Sequence, residues 1–383
     1  MILVHYGEIA LKGENRQIFE KRLVTNIKQS LKEARFDYVR RLPGRILVGG
    51  ENIKGAKEKL QKVFGIANFS PAAESKPDME QLKKDAWALV RKHEFKSFKI
   101  DARRAQKDLP FTSNDINKEV GAYVQELSGT KVRLEDPDLA IYIELIARRA
   151  FLYTQKISGP GGLPVGSAGK VVSLISSGID SPVASWKLMK RGCEVVFVHF
   201  HSYPQTSKAS LENVEKIVNV LEAWSPAPLK LFTVPFLDIQ KIITAHAQDK
   251  LRVILYRRSM VRIAQAVAKR EKAKALVTGE SVGQVASQTL ENIAVIDESA
   301  LIPILRPNIG EDKNETITWA KHIGTYEIST QPYEDCCSLF VPAHPETKAR
   351  LEKVLQAEEA MKKELRDAET RVLDEALGKK QIP

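Results

Sequence analysis

Cysteine is scarce: Cys193, Cys336 and Cys337 are the only three in 383 residues. So odd and sparse a set excludes a disulfide-stapled scaffold and fits a reducing compartment, so a cytoplasmic location is expected. No apolar run approaches the ~18 residues of a membrane span, and no membrane association is expected. The start, MILVHYGEIALKGENRQ, does not follow the basic, apolar, small order of a cleaved leader. No internal repeat or low-complexity block is present. A Walker loop is missing too. In SGPGGLPVGSAGK, Gly169-Lys170 is followed by Val171 and preceded at the required distance by Pro164, so G-x-x-x-x-G-K-[ST] fails twice.

What is present is length and unevenly placed charge. The chain is long enough for two or three domains with sizeable cores. Its net charge is +11, and residues 1–165 hold most of it, with 30 Lys and Arg against 21 Asp and Glu; the rest carry 29 against 27. That asymmetry suits a polyanion-binding part followed by a part that does chemistry, although an idle basic surface has the same composition.

Residues 1–75 alternate short apolar runs (ILVHY, RILVGG) with amphipathic stretches, NRQIFEKRLVTNIKQSLKEARF and IKGAKEKLQKVFG, the second stopped at Gly65. This reads as a small α+β unit. Residues 76–165 repeat the mixture, with helices at DMEQLKKDAWALVRKH and NDINKEVGAYVQEL and strands at SFKIDAR, KVRL and LAIYIELIARRAFLYTQ. The Gly- and Pro-rich SGPGGLPVGSAGK reads as a linker. From 166 to 383 strands alternate with helices: VVSLI, PVASWKLMKRG, EVVFVHF, SLENVEKIVNVLEAW, KLFTVPF, one long helix over about 238–271, and ALVTGE. This is the pattern of a parallel sheet covered by helices, and a helical, charge-balanced tail follows Pro345.

The stretch VVSLISSGIDSPVASWKLM runs from strand through a tight polar turn into a helix. Such a turn offers unpaired helix N–H groups to an anion. An ordinary capped helix has the same local sequence, because Ser and Asp are good N-caps.

SSGIDS resembles the SGGxDS pyrophosphate loop of the N-type ATP pyrophosphatases. HYGEIALKGENRQIFEKRL, FKIDARRAQKDLPFTSNDINKEVG, GESVGQVASQTLENI and PYEDCCSLFVPAHP extend the likeness over nearly the whole chain. Together they resemble the tRNA 4-uridine sulfurtransferase (ThiI) family. The resemblance implies an α/β and α+β multidomain fold: a ferredoxin-like unit (1–75), an RNA-binding THUMP domain (76–165), and a parallel-sheet, adenine nucleotide alpha-hydrolase-like PP-loop domain (166–383). The loop differs from the family pattern at Ser177, where glycine is usual. Only about 38 residues follow Pro345, too few for the persulfide-carrying rhodanese domain of some members, so sulfur is expected to arrive another way.

The resemblance also implies the chemistry. ATP with Mg²⁺ adenylates uridine 8 of tRNA and persulfide sulfur displaces AMP, with a cysteine desulfurase or other persulfide donor as partner. A homodimer, and a second sulfur transfer to the carrier protein of thiamine synthesis, belong to the same expectation. Ser176, Ser177, Gly178, Ile179, Asp180 and Ser181 would hold the phosphates, Asp180 through Mg²⁺. Leu174, Ile175, His199, Phe200, Arg257, Gly279 and Gln288 would line the nucleoside side. Cys337, with Cys336 as near rival, would be the functional thiol, and Cys193 a packed residue. Lys12, Arg16, Arg103, Arg104 and Lys107 are the candidate RNA contacts. Two rival readings are a PP-loop synthetase acting on another acceptor and an RNA-binding protein with a vestigial nucleotide site.

Overall fold

The computed structural model describes residues 1–34, 36–50, 53–105, 110–332, 336, 340 and 344–378. They form two compact units, Met1–Pro164 and Val165–Pro383. None of their helices is long and apolar enough to cross a membrane.

The first unit contains two five-stranded sheets. In one, Ile2–His5 lies between Arg45–Gly49 and Asn68–Pro71, with Tyr38–Leu42 and Ile157–Ser158 at the edges and every pairing antiparallel. Side-chain alternation sends Ile2 and Val4 into a core with Leu23 and Ile27 of helix Arg16–Ser30, and Leu3 into a separate cluster with Leu47, Phe151 and Tyr153. The other sheet runs Ala73–Ser75, Arg149–Tyr153, Leu139–Ile146, Ser97–Arg104, Lys131–Val132. Helices Met79–Val90 and Ser113–Ser128 contribute Leu82, Ala86, Val120 and Val124 to its core. Thr112 and Asp115 form a capping box on the second helix, and Gly129, at φ 68°, ends it.

Two sequence expectations change here, and the strands read in LAIYIELIARRAFLYTQ pair as a hairpin. KVRL pairs for only two residues, because all four side chains are exposed and further pairing would bury nothing. The hairpin Leu139–Tyr153 turns on Ala147 and Arg148, both at positive φ without a glycine to signal it. The first part of the supposed linker is built into the first sheet. Ile157–Ser158 pairs with residues 68–69, Gly159 N donates to Ala67 O (3.0 Å), and Gly161 N donates to Ile66 O (2.8 Å). A Cβ on Gly159 would lie 2.4 Å from Ile66 O, so the backbones approach closely enough to require glycine there.

A buried carboxylate joins the two sheets of this unit. Glu144 accepts from His5 Nε2 (2.7 Å), Tyr153 OH (2.5 Å) and Arg45 Nε (2.9 Å) inside the apolar cluster of Leu3, Leu47, Ile146 and Phe151. Burial raises its pKa, but the His5 hydrogen bond and charge, the Tyr153 bond and the Arg45 charge outweigh this and bring it down to about 2.

The second unit is a parallel five-stranded sheet ordered Leu231–Pro235, Glu194–His201, Lys170–Leu174, Ala275–Val277, Ile304–Leu305. In chain order this is third, second, first, fourth, fifth. The chain therefore reverses direction across the sheet between Lys170–Leu174 and Ala275–Val277. The loops leaving these two strands diverge, which opens a crevice at their carboxyl ends. The single helix expected over 238–271 is two, Leu237–His246 and Arg252–Glu271. Polar residues His246, Gln248, Asp249 and Lys250 interrupt the apolar period. Ala247 turns extended, Ala247 and Leu251 are buried, and Asp249 pairs with Arg252 (2.7 Å) as the second helix begins. The tail forms helices Leu351–Ala360 and Lys362–Gly378, whose Glu358 and Glu369 hold Arg258 and Arg262.

Candidate active site

The site starts where strand Lys170–Leu174 ends. Ser176 N donates to Ser181 Oγ (2.8 Å), Ser176 Oγ lies 3.0 Å from Ser181 Oγ, and Gly178 N donates to Ser176 Oγ (3.3 Å). The serines bracketing SSGIDS thus close the loop on itself. Helix Asp180–Lys190 follows with Ile179 as its N-cap and no side chain capping it. Its first N–H groups have no partner within the helix and carry its partial positive charge. Asp180 is the first residue of this helix rather than its cap, so the simpler capping role does not apply to it.

A cavity of 540 Å³ opens onto this helix end. Leu174, Ile175, Ser176, Gly178, Asp180 and Ser181 line it from the first strand and loop. His199 and Phe200 enter from the end of the second strand, Arg257 from helix Arg252–Glu271, and Gly279 and Gln288 from the loop after the fourth. A larger groove of 1020 Å³ lies on another face of the same helix. Arg258 and Arg262 there are held by Glu298, Glu358 and Glu369, and among the described residues no carboxyl end of a strand lines it, whereas the smaller cavity has such strand ends and the uncapped N-terminus of helix Asp180–Lys190.

Ser177 and Ile179 are not among the lining residues. The Ser177 side chain faces away from the cavity: the residue is 1 % exposed and its Oγ lies 3.4 Å from Ser210 Oγ on helix Ala209–Glu222. Ser210 is in turn 3.3 Å from His199 Nε2, and His199 Nδ1 lies 3.0 Å from Ile175 O. The serine that replaces the usual glycine is accommodated by turning inward, where Ser210 satisfies it.

Gly279 has a steric reason to be glycine. A Cβ there would lie 2.5 Å from Ser181 N, 2.7 Å from the Asp180 carbonyl carbon and 2.8 Å from Ser181 Cα, all backbone atoms. Gln288 closes the loop it ends, with its carbonyl accepting from Gly283 N (2.9 Å) and its Oε1 from Ser281 N (3.4 Å).

Four polar residues escaped the sequence reading. Lys313 Nζ lies 2.7 Å from Asp180 Oδ1, and Gln284 Nε2 donates to Asp180 Oδ2 (3.0 Å). Glu280 is ion-paired with Arg257 and Arg306 and accepts from Thr278 Oγ1 (2.9 Å). Burial raises the Glu280 pKa, but the charges of Arg257 and Arg306 more than reverse this, and the carboxyl is held below its usual range. Glu280 stands within the GESVGQ stretch and could have been found there. Gln284 ends the same stretch, whereas Lys313 and Arg306 carry no local signal, because only the fold brings them near Asp180 and Glu280.

Cys336 is buried and lines the cavity, and its carbonyl accepts from Gln240 Nε2 (2.7 Å). Cys337 lies outside the described residues. Cys193 is packed, and burial pushes its thiol pKa up. Among the described residues no cluster of three or more His, Cys, Asp or Glu is arranged for a metal ion.

The candidate RNA contacts fall in the first unit. Lys12 pairs with Glu8 (3.4 Å) and sits 5.4 Å above the Phe19 ring. Arg16 donates to Glu20 (2.8 Å) and to Tyr6 OH (2.6 Å), so its guanidinium is engaged within the fold. Burial and the Glu20 hydrogen bond push Tyr6 up to about 12. Arg103 is 65 % exposed with Asp101 3.4 Å away, whereas Arg104 donates to Phe111 O. Lys107 lies outside the described residues.

Comparison with known proteins agrees along the chain. Residues 166–363 match the model of the thiamine biosynthesis protein (ThiI) family, 1–70 the ThiI ferredoxin-like domain and 76–155 the THUMP domain. A probable tRNA sulfurtransferase of Caldanaerobacter subterraneus subsp. tengcongensis is 46 % identical over 94 % of this chain and 95 % of its own. Another, from Moorella thermoacetica, is 46 % identical over 93 % and 92 %. The crystal structure of a 4-thiouridine synthetase–RNA complex with bound ATP superposes with a TM-score of 0.89, at 38 % identity over 97 % of each chain. A Pyrococcus horikoshii protein matches with a TM-score of 0.68, at 26 % identity over 84 % of this chain and 99 % of its own. With ferredoxin-like, THUMP and PP-loop parts in order and relatives matched end to end, the chain belongs to the ThiI family of tRNA sulfurtransferases.

Proposed function

We propose that this enzyme uses ATP to convert uridine 8 of tRNA to 4-thiouridine by adenylating the uridine oxygen. The observation that carries this is the uncapped N-terminus of helix Asp180–Lys190, set in a cavity at the point where the strand order reverses. The likeness to a structure containing both RNA and ATP supports the two substrates.

In this reading the loop and helix N–H groups receive the ATP phosphates, and Lys313 and Arg257 add positive charge beside them. Uridine O4 forms a bond to the α-phosphorus as the bond to pyrophosphate breaks. The terminal sulfur of a persulfide then bonds to C4 and AMP departs. A thiolate cleaves the remaining S–S bond and leaves a disulfide. The protein's share is positioning and charge stabilisation. Mg²⁺ fits the donor set: Asp180 offers a carboxylate in the cavity, and this ion commonly takes one or two carboxylates together with phosphate oxygens. It would neutralise phosphate charge. Residues 1–75 and 76–165 would bind tRNA and 166–383 would do the chemistry. A persulfide donor such as a cysteine desulfurase, a homodimer and the thiamine sulfur-carrier branch complete the proposal.

Mass analysis of tRNA nucleosides after incubation with the protein, ATP, Mg²⁺ and sulfide tests it. Absence of 4-thiouridine, with pyrophosphate released as another acceptor is adenylated, would favour the rival synthetase. The vestigial-site reading rested on Ser177, and the inward turn of that side chain leaves the cavity open.

Asp180→Ala is expected to abolish ATP-dependent pyrophosphate release while tRNA affinity, measured by filter binding, stays near wild type. An equal loss of both would show that the site and the RNA surface are not separate. Cys337→Ser is expected to block thiolation from a persulfide donor yet spare adenylation, with sulfide partly bypassing the defect. Cys336→Ser should be milder and Cys193→Ser milder still. The reverse order for the adjacent pair would move the functional thiol to Cys336, and full activity in the double variant would make both structural.

A further inference from the structure

We propose that Glu280 is a positioning residue that fixes the direction of Arg257 in the cavity, with Arg306 and Asp297 as its rigid support. The inference rests on the reading of the cavity as an ATP site and assigns a function to a buried acid that such a site would not otherwise need.

A carboxylate beside a site for a polyphosphate is unfavourable unless something specific is gained. Glu280 is 1 % exposed, and its two oxygens have divided tasks. Oε2 faces inward, accepting from Arg306 Nε (2.5 Å) and Thr278 Oγ1 (2.9 Å). Oε1 is left for Arg257 Nη2. Arg306 cannot follow the ligand, because Asp297 holds the other side of its guanidinium (3.0 Å to Nη1). Arg257 is the member open to the cavity, with its side chain 23 % exposed and its Nη1 3.4 Å from Ser287 Oγ. The guanidinium is therefore suspended between Glu280 and Ser287 along the cavity wall.

The charges of the four residues sum to zero, two arginines against two acids. Arg257 therefore brings the ligand a direction more than a net charge. Two explanations of Glu280 now differ in sign. If charge alone mattered, Glu280→Gln would make the cavity more positive and tighten nucleotide binding. If Glu280 aims Arg257, the same variant weakens binding despite the favourable charge, because a planar donor fork released from its partner no longer presents its N–H groups in one orientation.

The test is calorimetric titration of the full chain with Mg·ATP, beside pyrophosphate release at saturating ATP with tRNA. For Glu280→Gln we expect Kd and KM to rise about tenfold with kcat within about twofold, the pattern of a lost binding geometry. Thr278→Val keeps the charge and the volume but removes the hydroxyl that orients the carboxylate, and about a threefold rise is expected. Melting temperatures report folding, and if Glu280→Gln does not fold, Thr278→Val decides alone. Binding as tight as wild type, or tighter, in the folded variants overturns the inference. A fall in kcat and melting temperature together, without a change in KM, also overturns it by making Glu280 merely structural. Failure of the wild-type protein to bind Mg·ATP would remove the reading of the cavity as well.

Discussion

Gly279→Ala is expected to lower ATP-dependent 4-thiouridine formation about 100-fold or more, the scale of a roughly 1 Å misplacement at a reacting centre. The methyl group meets Ser181 N, Asp180 C and Ser181 Cα at 2.5 to 2.8 Å, and no flexible side chain is available to yield. The helix end or the strand end must move, and the helix end is where the phosphates are proposed to sit. The folding cost should be smaller, about 1–3 kcal/mol, as for other overpacked sites. Gly310→Ala is the control, because a Cβ there meets nothing within 4 Å. Nucleoside analysis and melting curves on both variants check the expectation. Normal activity in Gly279→Ala would mean that the close approach of these loops is not needed for chemistry.

Glu144→Ala should destabilise the first unit by about 3–5 kcal/mol near neutral pH, because Arg45, His5 and Tyr153 lose a buried partner. The pH dependence follows from the lowered pKa. Stability from Glu144 is fully present above its ordinary value of 4.5 and is lost as pH falls from there towards about 2. At most about 3 kcal/mol is at stake, at 1.36 kcal/mol per pKa unit. The groups facing it are His5, Tyr153 and Arg45. Hydrogen exchange of strands Ile2–His5 and Leu139–Ile146 reads this unit within the full chain. The difference between wild type and variant should be large at pH 7 and shrink below pH 4. A difference that stays constant with pH would assign the loss to packing and not to the ionised carboxylate.

The parallel sheet was legible because buried strands such as EVVFVHF read as unbroken apolar runs, and the tight turn at the cavity because strand, Ser-Ser-Gly and helix are contiguous. Gly279 and Gln288 were reached only through a family motif. The inward turn of Ser177 depends on Ser210, 33 positions away. Apart from Arg257, the cations around Asp180 and Glu280 come from the segment after the last strand, and nothing local marks Arg306 or Lys313. Periodicity reports faces of elements; it does not report which distant charge completes a carboxylate's shell. It also fails for elements of two residues, as at Ile157–Ser158.

That short strand bears on synthesis. The first sheet cannot be completed from residues 1–70 alone, because its edge beside Asn68–Pro71 is supplied by residues 157–158. A ribosome must add nearly ninety further residues before the edge is covered. Until then the nascent sheet exposes an unpaired strand, the kind of edge that recruits foreign chains. Intermediates truncated between about residue 75 and residue 155 should therefore be the chaperone-dependent ones during translation. A truncation chosen from the first sheet's contiguous strands would inherit the same exposed edge.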